Sequence, residues 1–326
     1  LNFKPVSAVG KKLRPILALA CCVAWVGGAA VAAELSPDAK GAIPENVQQL
    51  IVIDYDAMQN SSAAMDLKSR VMPPELKTLE KALTASGLDD NNDVDELAFA
   101  SFRPDPNREG AMIIGVAQGQ FSEAEVIATL KKHKVKPKML RSNQIWPMPG
   151  SGMLVCFVSP TTMIFGSSDA MKDALNARDG LAPSMLRNSA LMEQVNLVDS
   201  QPLWSVLDGK GTQLMMQGIL GQASQLADYN VIKKRLISSR YSMNFNNGVK
   251  FDLAVVTPDT ITAATMSSMM NAAAMYEKMT STPIEKDAID ATAISSNAGT
   301  LQVDFNASDN QFESLLHSTL FESVVH

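Results

Sequence analysis

The chain has 326 residues, a formal net charge of −6, and 46% hydrophobic, 19% charged and 6% aromatic residues. This composition can bury a sizeable core, which excludes a disordered chain, a collagen-like chain and a disulfide scaffold. The first 32 residues hold Lys4, Lys11, Lys12 and Arg14 and no acid, so residues 33–326 carry −10 (−6 minus 4). That balance excludes duplex nucleic acid as a partner, because neutralising phosphates takes a basic surface.

Those four cations precede an apolar run, Ile16 to Val31, that ends in Ala30-Val31-Ala32. A basic start, an apolar middle and a small-x-small end are what a signal peptidase reads, so residues 1–32 are expected to be a signal peptide cut after Ala32. Two alternatives stay open. Ile16 to Ala33 is 18 residues long, near the lower limit for an uncleaved anchor, and Cys21 is a candidate for lipid attachment. Cleavage removes Cys21 and Cys22 and leaves Cys156 alone in an apolar strand, where a small core residue is expected rather than a nucleophile.

Residues 33–43 are expected to be a flexible segment. Beyond them, hydrophobic periodicity predicts a strand over Val47–Asp54, helices over Ser62–Val71 and Pro74–Ser86, and a strand pair over Leu97–Arg103 and Ala111–Gln118. Ser122 and Glu125 have the spacing of a capping box, so a helix follows to about His133. A strand near Asn143–Met148 and a pair over Met153–Val158 and Thr161–Gly166 lead to a helix ending near Arg178. After a linker at 181–200 the order repeats: a strand at Pro202–Leu207, a helix from Gln213, and strands Ile237–Phe245 and Val249–Val256 joined by Asn246-Asn247-Gly248. A helix from Thr257 to Met279, strands Ala288–Ser295 and Thr300–Phe305, and a helix capped by Ser308 and Gln311 complete the chain. The expected organisation is two tandem copies, 44–180 and 201–326, of a strand-helix-hairpin-helix-hairpin-helix unit. Alternation such as Leu301, Val303, Phe305 against Thr300, Gln302, Asp304 points to antiparallel sheets with one wet face and helices mainly on the other, an α+β fold.

Ile43-Pro44-Glu45-Asn46 leading into the first strand, Gly87-Leu88-Asp89 before Asp93-Val94-Asp95, and the step Gly119-Gln120-Phe121 into a helix give the chain a loose similarity to secreted bacterial proteins of unknown function. The resemblance implies an envelope location, periplasmic or secreted, and no reaction.

Four clusters are candidates for chemistry. Asp54-Tyr55-Asp56 at the end of an apolar strand resembles the Asp-x-Asp of haloacid dehalogenase-like phosphatases, in which one carboxylate attacks phosphorus and the other handles a proton. The family's Thr or Val two residues beyond is Met58 here, and a strand-closing turn explains both acids equally well. Asp89, Asn91 and Asp93 place oxygens at alternate positions, as a hard cation prefers, but the EF-hand Gly and Glu are replaced by Val94 and Ala100. Lys131, Lys132, Lys134 and Lys136 form a basic cluster for an anion, set against a helix C-terminus that favours cations anyway. Met266, Met269, Met270 and Tyr276 make a stripe in a chain of 19 methionines, which suits core packing or an apolar ligand.

No Gly-x-Ser-x-Gly elbow or phosphate-cradling glycine loop occurs, and Glu313 with His317 lacks a third ligand nearby. The expectation is a non-catalytic exported binding or scaffolding protein with no cofactor, whose partner is an apolar ligand or an envelope protein and which meets a membrane only through an uncleaved N-terminal segment. A secreted phosphatase-like hydrolase using Asp54 and Asp56 is the alternative.

Overall fold

The computed structural model describes residues 34–88, 93–103, 110–220 and 229–318, so the expected signal peptide lies outside the described residues. The first half contains α1 (Pro37–Ala42), β1 (Val47–Asp54), α2 (Tyr55–Gln59), α3 (Ser62–Val71), α4 (Pro74–Ala85), β2 (Val94–Phe102), β3 (Met112–Gly119) and α5 (Glu123–Lys132). It continues with β4 (Lys138–Leu140), β5 (Asn143–Pro147), β6 (Leu154–Ser159), β7 (Thr162–Gly166), α6 (Ser168–Arg178), a 3-10 turn at Met185–Arg187 and α7 (Ser189–Val195). The second half contains β8 (Leu203–Asp208), α8 (Gly209–Leu220), α9 (Tyr229–Ile232), β9 (Ser238–Asn244), β10 (Val249–Val256), α10 (Thr260–Thr280), α11 (Pro283–Asp290), β11 (Thr292–Asn297), β12 (Thr300–Ala307) and α12 (Asp309–Leu316).

The twelve strands of the described residues join one antiparallel sheet in the order β11-β12-β10-β9-β8-β1-β2-β3-β7-β6-β5-β4, so the fold is α+β. Reading outward from the centre, one half runs β1, β2, β3, β7, β6 and the other runs β8, β9, β10, β12, β11. The two halves meet where β1 pairs with β8, from Gln49 opposite Leu207 to Ile53 opposite Leu203. The β9–β10 hairpin turns at Asn247 and Gly248, both at positive φ, as a two-residue turn matched to strand twist requires. A Cβ at Gly248 would also lie 2.6 Å from the carbonyl oxygen of Ala307.

The sheet has two unlike faces. On the front, Leu50, Val52, Ala98, Ala100, Ile114, Val116, Trp204 and Val206 pack against Leu35, Ala39 and Ala42 around α1, Met171 and Leu175 of α6, and Leu191 and Val195 of α7. Residues 33–43, expected to be flexible, therefore enter the core from Leu35 onward. Ser36 caps α1, and the small side chains of Ala39 and Ala42 let that helix sit close to the strands. The expected linker 181–200 is likewise packed structure, because α7 covers β8 and its Gln194 accepts a hydrogen bond from Arg240 of β9.

On the back, α4 and α5 cover the first half while α8 and α10 cover the second. Phe312 and Leu316 of α12 pack with Ala63, Ala64 and Leu67 of α3. Helices thus lie on both faces in the first half, whereas the expected arrangement of helices mainly on one face holds for the outer second half. There the front is polar and wet, with Asp252, Gln302, Ser295 and Lys250 exposed. The final helices of the two halves also differ, α6 packing on the front and α12 on the back.

Smaller departures have local causes. Ser122 precedes α5 without a side-chain cap, while Ser308 and Gln311 do form a capping box. The strand expected from Ala288 begins at Thr292, because Thr282 and Glu285 cap α11 ahead of it.

One buried polar chain ties α1 to the sheet. Glu96 of β2 is 1% exposed, and its Oε2 accepts from Gln118 Nε2 at 2.7 Å while its Oε1 has no protein partner. Gln118 Oε1 in turn accepts from the Ser36 backbone N–H at 2.6 Å. Burial pushes the Glu96 carboxyl up to about 8, the Asp54 charge adds to this, and Lys40 opposes it. The folded protein therefore holds a proton here that the unfolded chain releases near 4.5, and stability falls as pH rises through the interval between those values. Glu96→Gln is expected to flatten that slope in urea titrations across pH 4–9, with a gain on the order of a few kcal/mol at the alkaline end.

Asp252 and Asp304 stand directly opposite on β10 and β12. Partial burial, followed by the neighbouring Asp304, raises the Asp252 carboxyl above its ordinary value, so this pair also costs stability as pH climbs through the carboxylate range. Asp304→Asn is predicted to raise the thermal midpoint at neutral pH, by an amount equivalent to about 0.5–1 kcal/mol, and to leave it unchanged near pH 3.

Candidate functional site

The described residues among those singled out from sequence do not converge on one site. Asp54 ends β1 and caps α2, its Oδ1 accepting from the Ala57 N–H at 2.8 Å. Asp56 accepts from the Gln59 side chain at 3.2 Å on the exposed side of that short helix. Both carboxylates are thus engaged in local structure. Asp89 and Asn91 lie outside the described residues; the backbone oxygen of Asp93 accepts from the Gln120 N–H at 2.9 Å, holding β2 to the start of the α5 loop.

Lys131 and Lys132 occupy the last turn of α5, where cations favour the carbonyl end of the helix. Lys134 adopts φ +60°, and the Val135 N–H bonds back to the Leu130 carbonyl at 2.9 Å, a helix-closing turn that brings Val135 against the core. Lys136 follows this turn and is exposed.

The methionine stripe divides along α10. Met266 is 0% exposed and Met270 is buried with it, both against Leu253, Val255 and Leu301, while Met269 is half-buried beside them. Tyr276 is exposed, together with Met275 and Met279. The buried half of the stripe is plain core, as helical spacing on an apolar face allows.

Cys156 is buried, and desolvation pushes its thiol up to about 11, which removes nucleophilic character. Glu313 accepts from Ser62, and His317 lies against Arg70 and Asp66, so the pair on α12 docks that helix to α3.

A concave feature of uniform chemistry lies away from those residues. An apolar cavity of about 70 Å³ lies between α4 and the back of β2, β3 and β7. Leu76, Leu79 and Leu83 form its helical wall, and Phe99, Ala117 and Phe165 form its floor. The floor depends on Gly115, because a Cβ there would lie 2.1 Å from the Phe165 ring. With that space free, Phe165 meets Phe99 edge to face at 5.9 Å.

Tyr55 and Glu80 stand at the side of the cavity, joined by Lys68 of α3, which donates to the Tyr55 hydroxyl at 2.5 Å and to Glu80 Oε1 at 2.7 Å. Burial acts to lower the Lys68 pKa, but the hydrogen bonds to Glu80 and Tyr55 outweigh it and leave the ammonium above its ordinary value. The polar groups are thereby spent on one another, and the cavity wall is left apolar. Met72, Leu76, Leu97 and Phe99 are only half-buried, so a ligand can reach it.

Two larger hollows have mixed walls. One of about 260 Å³ lies by α11 and α12 with Asp287 and Asn310 in its lining; the other, of about 340 Å³, lies between α4 and α5 with Lys81 and His133 in its lining. Wall chemistry, more than size, separates a ligand cavity from a surface hollow, so the α4 cavity is the candidate site. Among the described residues no cluster of three metal-ligating side chains occurs, and no helix is long and apolar enough to cross a membrane.

Neither a family model nor a curated protein matches this chain. Solved structures of TP0453 are similar to it. Crystal form I has a TM-score of 0.48 and 9% identity, covering 90% of this chain and 99% of that one. Form III has a TM-score of 0.46 and 9% identity, covering 85% of this chain and 96% of that one.

Proposed function

We propose that this chain is an exported, non-catalytic binding protein of the bacterial cell envelope, and that its ligand is an apolar group seated in the cavity between α4 and the back of the sheet. The observation that carries this reading is the wall itself, Leu79, Leu83, Phe99, Ala117 and Phe165, with the nearby polar groups closed into the Lys68–Tyr55–Glu80 network. An apolar cavity too poor in polar partners to order water gains free energy when hydrocarbon fills it. The basic start and apolar run of residues 1–32 support export. The ligand site proposed here differs from the Met266, Met270 stripe, because those two side chains are already packed in the core.

Tandem duplication belongs to the same proposal. It is supported by the matching strand order of the halves, a first strand beside a hairpin beside a second hairpin taken in reverse, with α5 and α10 in corresponding places on the back. The different faces taken by α6 and α12, and the additional β4–β5 pair, are where such copies would have diverged.

The uncharged fluorophore N-phenyl-1-naphthylamine tests the ligand reading. The parent protein is expected to enhance its emission saturably, and Ala117→Leu, which fills the floor of the cavity, is expected to weaken binding by about tenfold (~1.4 kcal/mol) while the thermal midpoint holds or rises. Equal binding by both proteins, or no binding by the parent, would overturn the assignment.

A further inference from the structure

The two ends of the sheet are treated differently. At one end β4 carries Lys138 and is flanked by Lys136 and Arg141, charges of the kind that keep an open edge from pairing with another chain. At the other end β11 reads Thr292-Ala293-Ile294-Ser295-Ser296-Asn297, with neither charge nor proline. Its pairing with β12 is regular from Thr292 opposite Phe305 to Asn297 opposite Thr300, so no bulge bends its outer edge away.

The helix packed over this strand is equally unprotected. No charged residue occurs in α10 from Thr260 to Tyr276. Its inner side, Ala263, Met266 and Met270, is core, yet its outer side exposes Ile261 at 77%, Met275 at 73% and Met279 at 79%. Thr265 and Ser268 lie between them on that side, so the exposed apolar groups gather at the two ends of the helix.

We propose that a second copy of this chain covers this end, its β11 adding antiparallel to the first β11 about a two-fold axis at Ile294, with the two α10 helices side by side behind the joined sheet. The open backbone groups of both edge strands are then paired. In this register Ile294 faces its own counterpart and Thr292 faces Ser296 on the back, Ala293 faces Ser295 on the front, and no like charges meet. A self-complementary strand makes an isologous contact, the commonest geometry of small oligomers.

A lipid surface fits the same patch less well. It cannot satisfy the open backbone groups of an edge strand. Helices that lie on membranes carry cations on their polar side, whereas Lys278 at the end of α10 pairs with Asp290 and the chain is acidic overall. The proposal is independent of the cavity, which lies in the other half.

Sedimentation velocity of the purified chain over a concentration series, together with two double variants, tests it. The parent is expected to dimerise. A293K/S295K, which sets lysine against lysine across the axis on the exposed front, is expected to weaken the dimer at least about tenfold (~1.4 kcal/mol), and A293K/S295E, which sets lysine against glutamate in the same register, is expected to restore it. A parent that stays monomeric, or a dimer indifferent to both variants, overturns the proposal. So does a monomer that floats with phosphatidylcholine–phosphatidylglycerol vesicles and loses that binding in M275S/M279S, which would assign the patch to lipid.

Discussion

The antiparallel seam between β1 and β8 is the contact on which the remaining structure depends. Val52 stands opposite Trp204 and Leu50 opposite Val206 on the front, while Ile53 stands opposite Leu203 on the back. β8 is buried on both sides and β1 on its front, with Ile51 and Ile53 half-buried on the back, so the seam closes the inner edge of each half and also supplies the middle of the core. Removing a buried indole such as Trp204 from a place of this kind costs about 3–5 kcal/mol, a large part of the net stability of a typical domain. The close fit extends to α8, where a Cβ at Gly211 would lie 2.3 Å from the Gln48 carbonyl oxygen, so that helix can rest directly on β1.

The asymmetry between faces follows from the seam. In the first half α1 and α6 shield the front, with α7 continuing this cover over β8, and the back of the sheet is left to form an apolar cavity under α4. In the second half the back is filled by the methionines and leucines around α8 and α10, and the outer front remains polar and needs no cover. The apolar cavity and the unprotected edge therefore sit far apart along the sheet order, one in each half. Neither calls for reactive side chains. Asp54, Cys156 and His317, which drew attention in the sequence, are occupied in a helix cap, the core and helix docking respectively.

Periodic elements were legible in the sequence and unperiodic ones were not. Val47–Asp54, Ser62–Val71 and Val249–Val256 have the bounds expected from alternation and helical spacing, and Asn247-Gly248 turns as its residue types require. Six-residue α1, with Gly41 and two alanines, has too short a pattern to read as a helix, yet it is core. In α11 the Thr282 and Glu285 cap was a readable signal that the apolar residues after it obscured. Glu96 was also within reach, because it shares the alternation of Ala98, Ala100 and Phe102 and so falls on the buried side of β2. The cavity was not, since its wall joins residues from Tyr55 to Phe165 that only sheet order brings together. Met266 and Met270 show the converse, where correct spacing marked a buried stripe and could not say whether a ligand or the protein itself would cover it.

Joining β1 to β8 should make the two similarly ordered halves one folding unit. Native-state hydrogen exchange over a range of denaturant tests this most directly, since amides that open only with the whole molecule share one free energy and one denaturant dependence. The amides of Leu50, Val52, Trp204 and Val206 are expected to merge with the slowest amides of β3 and β10 into a single global class. Two classes with separate free energies, one for each half, and β1 and β8 amides exchanging faster than either would contradict it.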